Sequence, residues 1–141
     1  MTDRISPRRL SRELILQALY AAECGEVSAE SNLINLVKEQ PLSEKNVRFA
    51  REMLTLVNQH GDWADQQLAG LAEHWDVERM AAIDRAILRL ALVELEHVPD
   101  TPMKVVLNEA IELARKFSTS KSPGFVNGIL DAWVKRRGGG E

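Results

Sequence analysis

Apolar residues recur at spacings of three and four along most of the chain, and runs that alternate between apolar and polar residues are nearly absent. This period is typical of amphipathic helices, in which residues three and four apart share a face. The pattern predicts an all-α fold of about seven helices, near residues 7–23, 29–39, 44–60, 63–73, 78–97, 102–117 and 123–137.

Residues suited to helix ends support this division. A hydroxyl residue precedes proline at Ser6, Thr101 and Ser122. The hydroxyl can cap amides of the first turn, and proline fits the first helical position because its missing N–H has no partner there. Ser43 is a further capping candidate, and Gly61 is placed to end a helix.

The helix near 78–97 is apolar on almost all sides, which indicates that it is buried on most sides. Asp84 and Glu94 interrupt its apolar arc. A buried carboxylate needs a partner. Each of these two therefore binds a group within the fold or faces another protein.

Composition fits one domain. The chain has 141 residues, of which 45% are hydrophobic, and its formal net charge is −3. We expect a single domain over 1–137 and a disordered tail over 138–141. No apolar run is long enough for a membrane span or a secretory signal, and the single cysteine, Cys24, fits a reducing cytoplasm.

Charge is unevenly distributed. Residues 1–12 hold four arginines against one aspartate, so their net charge is +3 and the remainder sums to −6. On a helical wheel, Arg8 and Arg12 lie one turn apart at the edge of the core face and Arg9 lies nearly opposite. Arginines at a helix N-terminus oppose the macrodipole but suit a phosphate backbone. A solvated basic end explains them equally well.

Two aromatic residues are further candidates. Tyr20, with Leu16, projects from the back of the first helix, where either another helix covers the pair or a partner binds it. Phe125 lies at the margin of the core stripe in the last helix. Its ring could stack on an unpaired base, or it belongs to the periphery of the core.

Catalytic and metal motifs are missing from the sequence. His60, His74 and His97 are too scattered for a zinc-type pair, and no phosphate-binding loop, nucleophile elbow or dinucleotide fingerprint occurs. We therefore expect no enzyme activity, no metal and no cofactor.

Four segments together resemble the NusB family of transcription antitermination proteins. They are RRLSR at 8–12 with QALY at 17–20, IDRAILRLA at 83–91 with EL at 94–95, NEAIELARKF at 108–117, and FVNGILD at 125–131. The segments follow the family's order along nearly the whole chain. Residues 25–75 match in helical character alone.

The resemblance implies an all-helical fold of two small packed bundles and a non-catalytic role as an RNA-binding adaptor. Family members pair with the ribosomal protein NusE and bind single-stranded boxA RNA of ribosomal RNA leader transcripts. They thereby hold RNA polymerase in a termination-resistant state. The resemblance places five residues on the RNA side: Arg8, Arg9, Arg12, Phe125 and, as a weaker candidate, Arg89.

The same resemblance places Tyr20 and Asp84 on or near the NusE side.

Two alternative functions stay open. NusB-like domains also occur in ribosomal RNA cytosine methyltransferases, but such an enzyme needs a further cofactor-binding domain, so we expect no methyl transfer. A purely protein-binding helical module would bind NusE without any gain in affinity from RNA.

Overall fold

The computed structural model describes residues 6–25, 27–71 and 80–138, and these residues form six α-helices and no strand. The helices are α1 (Pro7–Cys24), α2 (Ala29–Lys38), α3 (Glu44–Leu71), α4 (Ala82–His97), α5 (Met103–Phe117) and α6 (Ser122–Arg136). The predicted all-α fold is confirmed. The predicted start of the fourth α-helix, near 78, lies outside the described residues.

Two predicted helices, 44–60 and 63–73, form the single helix α3. His60 has φ −115° and ψ 16°, so the helix is kinked one residue before Gly61. Glycine weakens a helix but does not forbid one. The helix end predicted at Gly61 is therefore a kink within one helix. Because two predicted helices are joined in α3, the described residues form six helices where about seven were expected.

The hydroxyl caps divide into two groups. The Ser6 hydroxyl accepts from the Arg9 amide at 3.1 Å, and the Ser43 hydroxyl accepts from the Asn46 amide at 3.4 Å, as predicted. Helix α5 instead has Pro102 at its N-cap without a side-chain cap, so the predicted Thr101 cap is wrong. Ser122 lies inside α6, and its hydroxyl binds elsewhere.

The chain divides into two compact units, Met1–Leu56 and Val57–Glu141. In the first unit α1 packs on α2, and the Asn32 side chain donates to the Ala18 carbonyl at 3.3 Å. Fully burying one leucine or phenylalanine contributes about 1.5–3 kcal/mol. The buried side chains of this unit include Leu14, Ile15, Ala18, Leu33, Phe49, Met53 and Leu54.

In the second unit α5 packs on both α4 and α6. Helix α4 is buried on most sides, as its sequence predicts; Ile87, Leu88 and Leu92 are fully buried. Trp63 and Trp133 contact each other edge to face, with ring centroids 6.2 Å apart. Trp133 is buried, and its indole N–H donates a hydrogen bond to Gln67 Oε1 at 2.9 Å, so this polar group is satisfied.

Tertiary contacts hold the basic last turn of α6. Arg136 donates to the Gly70 carbonyl at 3.2 Å and so satisfies a carbonyl in the last turn of α3. Arg137 pairs with Glu96 at 2.7 Å and covers the Trp133 ring at 4.7 Å. The tail that was predicted to be disordered, 138–141, lies outside the described residues except for Gly138.

Candidate nucleic-acid interface

The cap at Ser6 fixes where the arginines stand on α1. The Ser6 hydroxyl binds the Arg9 amide, and Pro7 takes the first helical position. Arg8 and Arg9 therefore lie in the first turn and Arg12 lies one turn later. No acidic residue lies in the first turn of α1, and the next carboxylate along the helix is the buried Glu13.

Arg8 and Arg12 meet the same aromatic ring. The guanidinium carbon of Arg8 lies 3.9 Å from the centroid of Phe49 on α3, and that of Arg12 lies 5.3 Å from it. A cation over an aromatic face is stabilised by about 0.5–2 kcal/mol, depending on how far water is excluded. We call Arg8, Arg12 and Phe49 the arginine–phenylalanine cluster. Sequence reasoning missed Phe49, because no local pattern links residue 49 to residues 8 and 12.

A hydroxyl ties the two helices of the cluster together. Ser11 is fully buried, and its Oγ lies 3.0 Å from the Pro7 carbonyl oxygen and 3.2 Å from the Asn46 carbonyl oxygen. The second contact joins α1 to the first turn of α3, one turn before Phe49. The cluster is therefore held by polar as well as aromatic contacts.

The three N-terminal arginines differ in exposure. Arg8 and Arg9 are half-buried, whereas the Arg12 residue is 4% exposed. The predicted position of Arg12 at the edge of the core face thus becomes a buried position. Its charge lies beneath the surface formed by its neighbours.

Arg89 forms a bidentate ion pair with Asp65. Its Nε and one terminal nitrogen donate to the two oxygens of Asp65 at 2.6 Å each, which joins α4 to α3. Both side chains are about one-third exposed. An RNA phosphate would have to compete with Asp65 for this guanidinium. RNA binding by Arg89 therefore stays a prediction, and the structure shows that Arg89 also joins two helices.

Asp84 is buried beneath the start of α6. Its two oxygens accept from the hydroxyls of Ser118 at 2.6 Å and Ser122 at 3.0 Å. Ser122 in turn accepts from the Thr119 amide at 3.3 Å. The sequence left two roles open for Asp84, binding within the fold or facing another protein. The structure shows hydrogen bonds within the fold, and a position near the NusE side stays a prediction.

Phe125 is half-buried and lies in the first turn of α6.

Tyr20 is 42% exposed, whereas Leu16 is fully buried, so the two do not form one open patch. The pKa of the Tyr20 phenol is raised from 10.0, chiefly by a side-chain hydrogen bond with Cys24 and by repulsion from the negative charge of the Cys24 thiolate. Val27 and Ile34 are other exposed apolar residues of the first unit.

Two of the three histidines, His60 and His97, come together as a stacked pair that their separation in the sequence did not predict, and His74 lies outside the described residues. The rings of His60 and His97 lie 3.9 Å apart and nearly parallel, and Trp63 meets His97 edge-on. Desolvation and the neighbouring His60 lower the pKa of His97, and Glu96 opposes them. Within the described ranges no three metal-ligating side chains come together, and no helix is long and apolar enough to cross a membrane.

These features define a class of protein: an all-α fold with an arginine–aromatic cluster at the start of its first helix. Comparison with known proteins then assigns the family. The NusB family model matches residues 9–135. The chain therefore belongs to the NusB family, whose members are non-enzymatic transcription antitermination factors.

Individual relatives agree with this assignment. Transcription antitermination protein NusB of Dehalococcoides mccartyi is 42% identical over 128 residues, which cover 91% of this chain and 90% of that protein. A solved structure of T. maritima NusB is 32% identical with a TM-score of 0.86, covering 94% of this chain and 93% of that one.

A chain in the crystal structure of antitermination factors NusB and NusE in complex with dsRNA has a TM-score of 0.83. It is 21% identical and covers 94% of this chain and 99% of that one. At this identity the likeness shows the fold alone.

Proposed function

We propose that this protein is a cytoplasmic RNA-binding adaptor of the RNA polymerase antitermination complex, which pairs with NusE and binds single-stranded boxA RNA of ribosomal RNA leader transcripts. The observation that carries the proposal is the arginine–phenylalanine cluster at the capped start of α1. Family membership supports the antitermination role. A chain of the same fold occurs in a complex with NusE and dsRNA, which supports NusE and RNA as classes of partner; the single-stranded form of the RNA is proposed from the family resemblance.

The start of α1 is suited to binding phosphate groups. Guanidinium groups bind phosphate oxygens in a bidentate fork, and a helix N-terminus adds the positive end of its dipole. Both effects act at the same place here, since Arg8 and Arg9 lie in the first turn. A sequence-independent hold on the RNA backbone would follow, with base contacts supplied elsewhere.

The proposed roles of the site residues follow from their exposure. Arg8 and Arg9 contact phosphates, and Arg12 adds positive charge from its buried position. Phe125 stacks on a base, a contact worth about 1–3 kcal/mol where the ring lies flat on it. Arg89 makes a smaller contribution because Asp65 already binds it.

Tyr20 and Asp84 each lie on or near the NusE side in this proposal. Tyr20 is the exposed aromatic residue of α1, and tyrosine is common at the centres of protein contacts. Asp84 acts from below by holding the turn between α5 and α6.

A mobility-shift titration tests the function. Labelled boxA RNA is titrated with the protein alone, with NusE alone and with both, and a scrambled strand and a double-stranded form of the same RNA serve as controls. We expect the tightest binding for the boxA strand with both proteins. Binding of NusE with no gain from RNA would identify a protein-binding module instead, and equal affinity for the duplex would refute single-strand recognition.

A further inference from the structure

We infer that Phe49 is a positioning residue for RNA binding: its ring holds the guanidinium of Arg8, with Arg12 beside it, in place for the phosphate backbone. The inference rests on the proposed function and deepens it. Phe49 touches no RNA in this account; it acts through the two arginines.

The ring has a fixed position. Phe49 is 9% exposed, and its neighbours on α3, Ala50 and Met53, are 0% and 1% exposed. The contact between the Ser11 hydroxyl and the Asn46 carbonyl holds α1 against this part of α3. The surface on which Arg8 rests is therefore part of a packed core.

Arg8 and Arg12 are placed to share that surface. Residues four apart lie one above the other on a helix, so their side chains leave α1 on the same side. Their guanidinium carbons lie 3.9 Å and 5.3 Å from the ring centroid, which makes Arg8 the closer partner.

A ring and a carboxylate hold an arginine in different ways. Asp65 orients the Arg89 guanidinium and at the same time neutralises its charge. The Phe49 face attracts the Arg8 charge through its quadrupole and adds no negative charge. The ring contact by itself therefore leaves the attraction of the guanidinium for phosphate intact.

Positioning matters because arginine is flexible. A mobile arginine loses rotamer freedom when it grips a phosphate, and a side chain that is already ordered loses less. Removal of the ring should therefore weaken RNA binding although every positive charge remains. The expected loss is about 3- to 10-fold, the range that a partly exposed cation–π contact produces.

The test compares four variants by fluorescence anisotropy with labelled boxA RNA in the presence of NusE. Phe49→Leu and Phe49→Met remove the π face and keep an apolar side chain, so that either can stand in if the other fails to fold. Phe49→Tyr keeps the ring and should bind within about twofold of the wild type. The matched control is Phe117→Leu, which removes the ring that Lys116 covers at 5.5 Å in the second unit.

A double-mutant cycle separates positioning from a general structural effect. If Phe49 acts through Arg8, then Phe49→Leu should cost less than about twofold in an Arg8→Ala background. Equal losses in both backgrounds would overturn the inference, as would unchanged binding by Phe49→Leu. If Arg8→Ala itself binds normally, the proposed RNA face is wrong, and this outcome is distinct from failure of the inference.

The wild-type protein provides a readout that needs no variant. The Cδ protons of Arg8 should show an upfield ring-current shift by NMR, with a smaller shift for Arg12. Loss of this shift in Phe49→Leu, with a cooperative thermal unfolding transition that shows the variant is still folded, would match the positioning role. Unshifted Arg8 resonances in the wild type would contradict it.

Discussion

Replacement of Asp84 by alanine should destabilise the second unit by about 2–3 kcal/mol. Asp84 is 7% exposed, and its oxygens accept two hydroxyl hydrogen bonds, at 2.6 Å from Ser118 and 3.0 Å from Ser122. A hydrogen bond to a charged group contributes about 1.5–3 kcal/mol. Two such bonds suggest a larger total, but the serine hydroxyls lie 2.8 Å apart and can bond each other once the carboxylate is gone. The mutual bond recovers part of the loss.

The loss is measured by urea and thermal unfolding. For a chain of this length, 2–3 kcal/mol corresponds to a fall in Tm of about 6–9 °C. Asp84→Asn keeps one acceptor oxygen and should lose about half as much. Asp131→Ala is the matched control, because Asp131 is an exposed carboxylate paired with Lys135 at 3.0 Å along one helix. Such pairs contribute less than about 0.5 kcal/mol.

Coupling between residues identifies the cause. In a double-mutant cycle, Asp84→Ala and Ser122→Ala should be non-additive by about 1 kcal/mol, since each removes the same hydrogen bond. A free energy of unfolding for Asp84→Ala within about 0.5 kcal/mol of the wild-type value would contradict this role of Asp84. Purely additive losses would show that the hydroxyl contacts are not what stabilises this region.

Three further predictions concern other residues. Tyr20→Ala should weaken NusE binding at least about tenfold, as truncation of a central interface tyrosine does, and leave unfolding unchanged; an unaltered calorimetric titration would remove Tyr20 from the interface. Arg89→Ala should lower the free energy of unfolding by about 1 kcal/mol, the upper end for a partly exposed pair, and weaken RNA binding by no more than about threefold. The lowered pKa of His97 means that the unfolded chain takes up its proton more readily. Its contribution to stability is therefore complete above the ordinary pKa of 6.5 and is lost as the pH falls through the folded-state value. His97→Gln should therefore weaken the dependence of the free energy of unfolding on pH between neutral and mildly acidic conditions. An unchanged pH dependence would contradict a lowered pKa for His97.

The helices were predictable because apolar spacing and local capping chemistry encode them. Ser6 and Ser43 act as the sequence suggests, since their hydroxyls bond amides three residues on. Ser122 has the same local signature but a different role. Asp84, 38 residues earlier, takes up its hydroxyl, and no local pattern records that competition.

The candidate site was predictable in part. The helical wheel correctly put Arg8 and Arg12 on one side of α1, but burial of Arg12 depends on what packs over it. Phe49 could not be chosen from the sequence, because its role arises from contact between two helices. Exposure of Tyr20 beside a buried Leu16 is likewise a property of the packed fold.

The salt dependence of RNA affinity tests the central claim most directly. Contact with three or four phosphates of a single strand predicts a slope of about −2 to −3 for log affinity against log salt concentration. Arg8→Ala combined with Arg9→Ala should make this slope shallower by about 1.4, since each lost contact contributes about 0.7. Lys38→Ala, which removes one exposed positive charge at the end of α2, should leave the slope unchanged. A double variant with the wild-type slope and affinity would show that RNA does not bind at the start of α1.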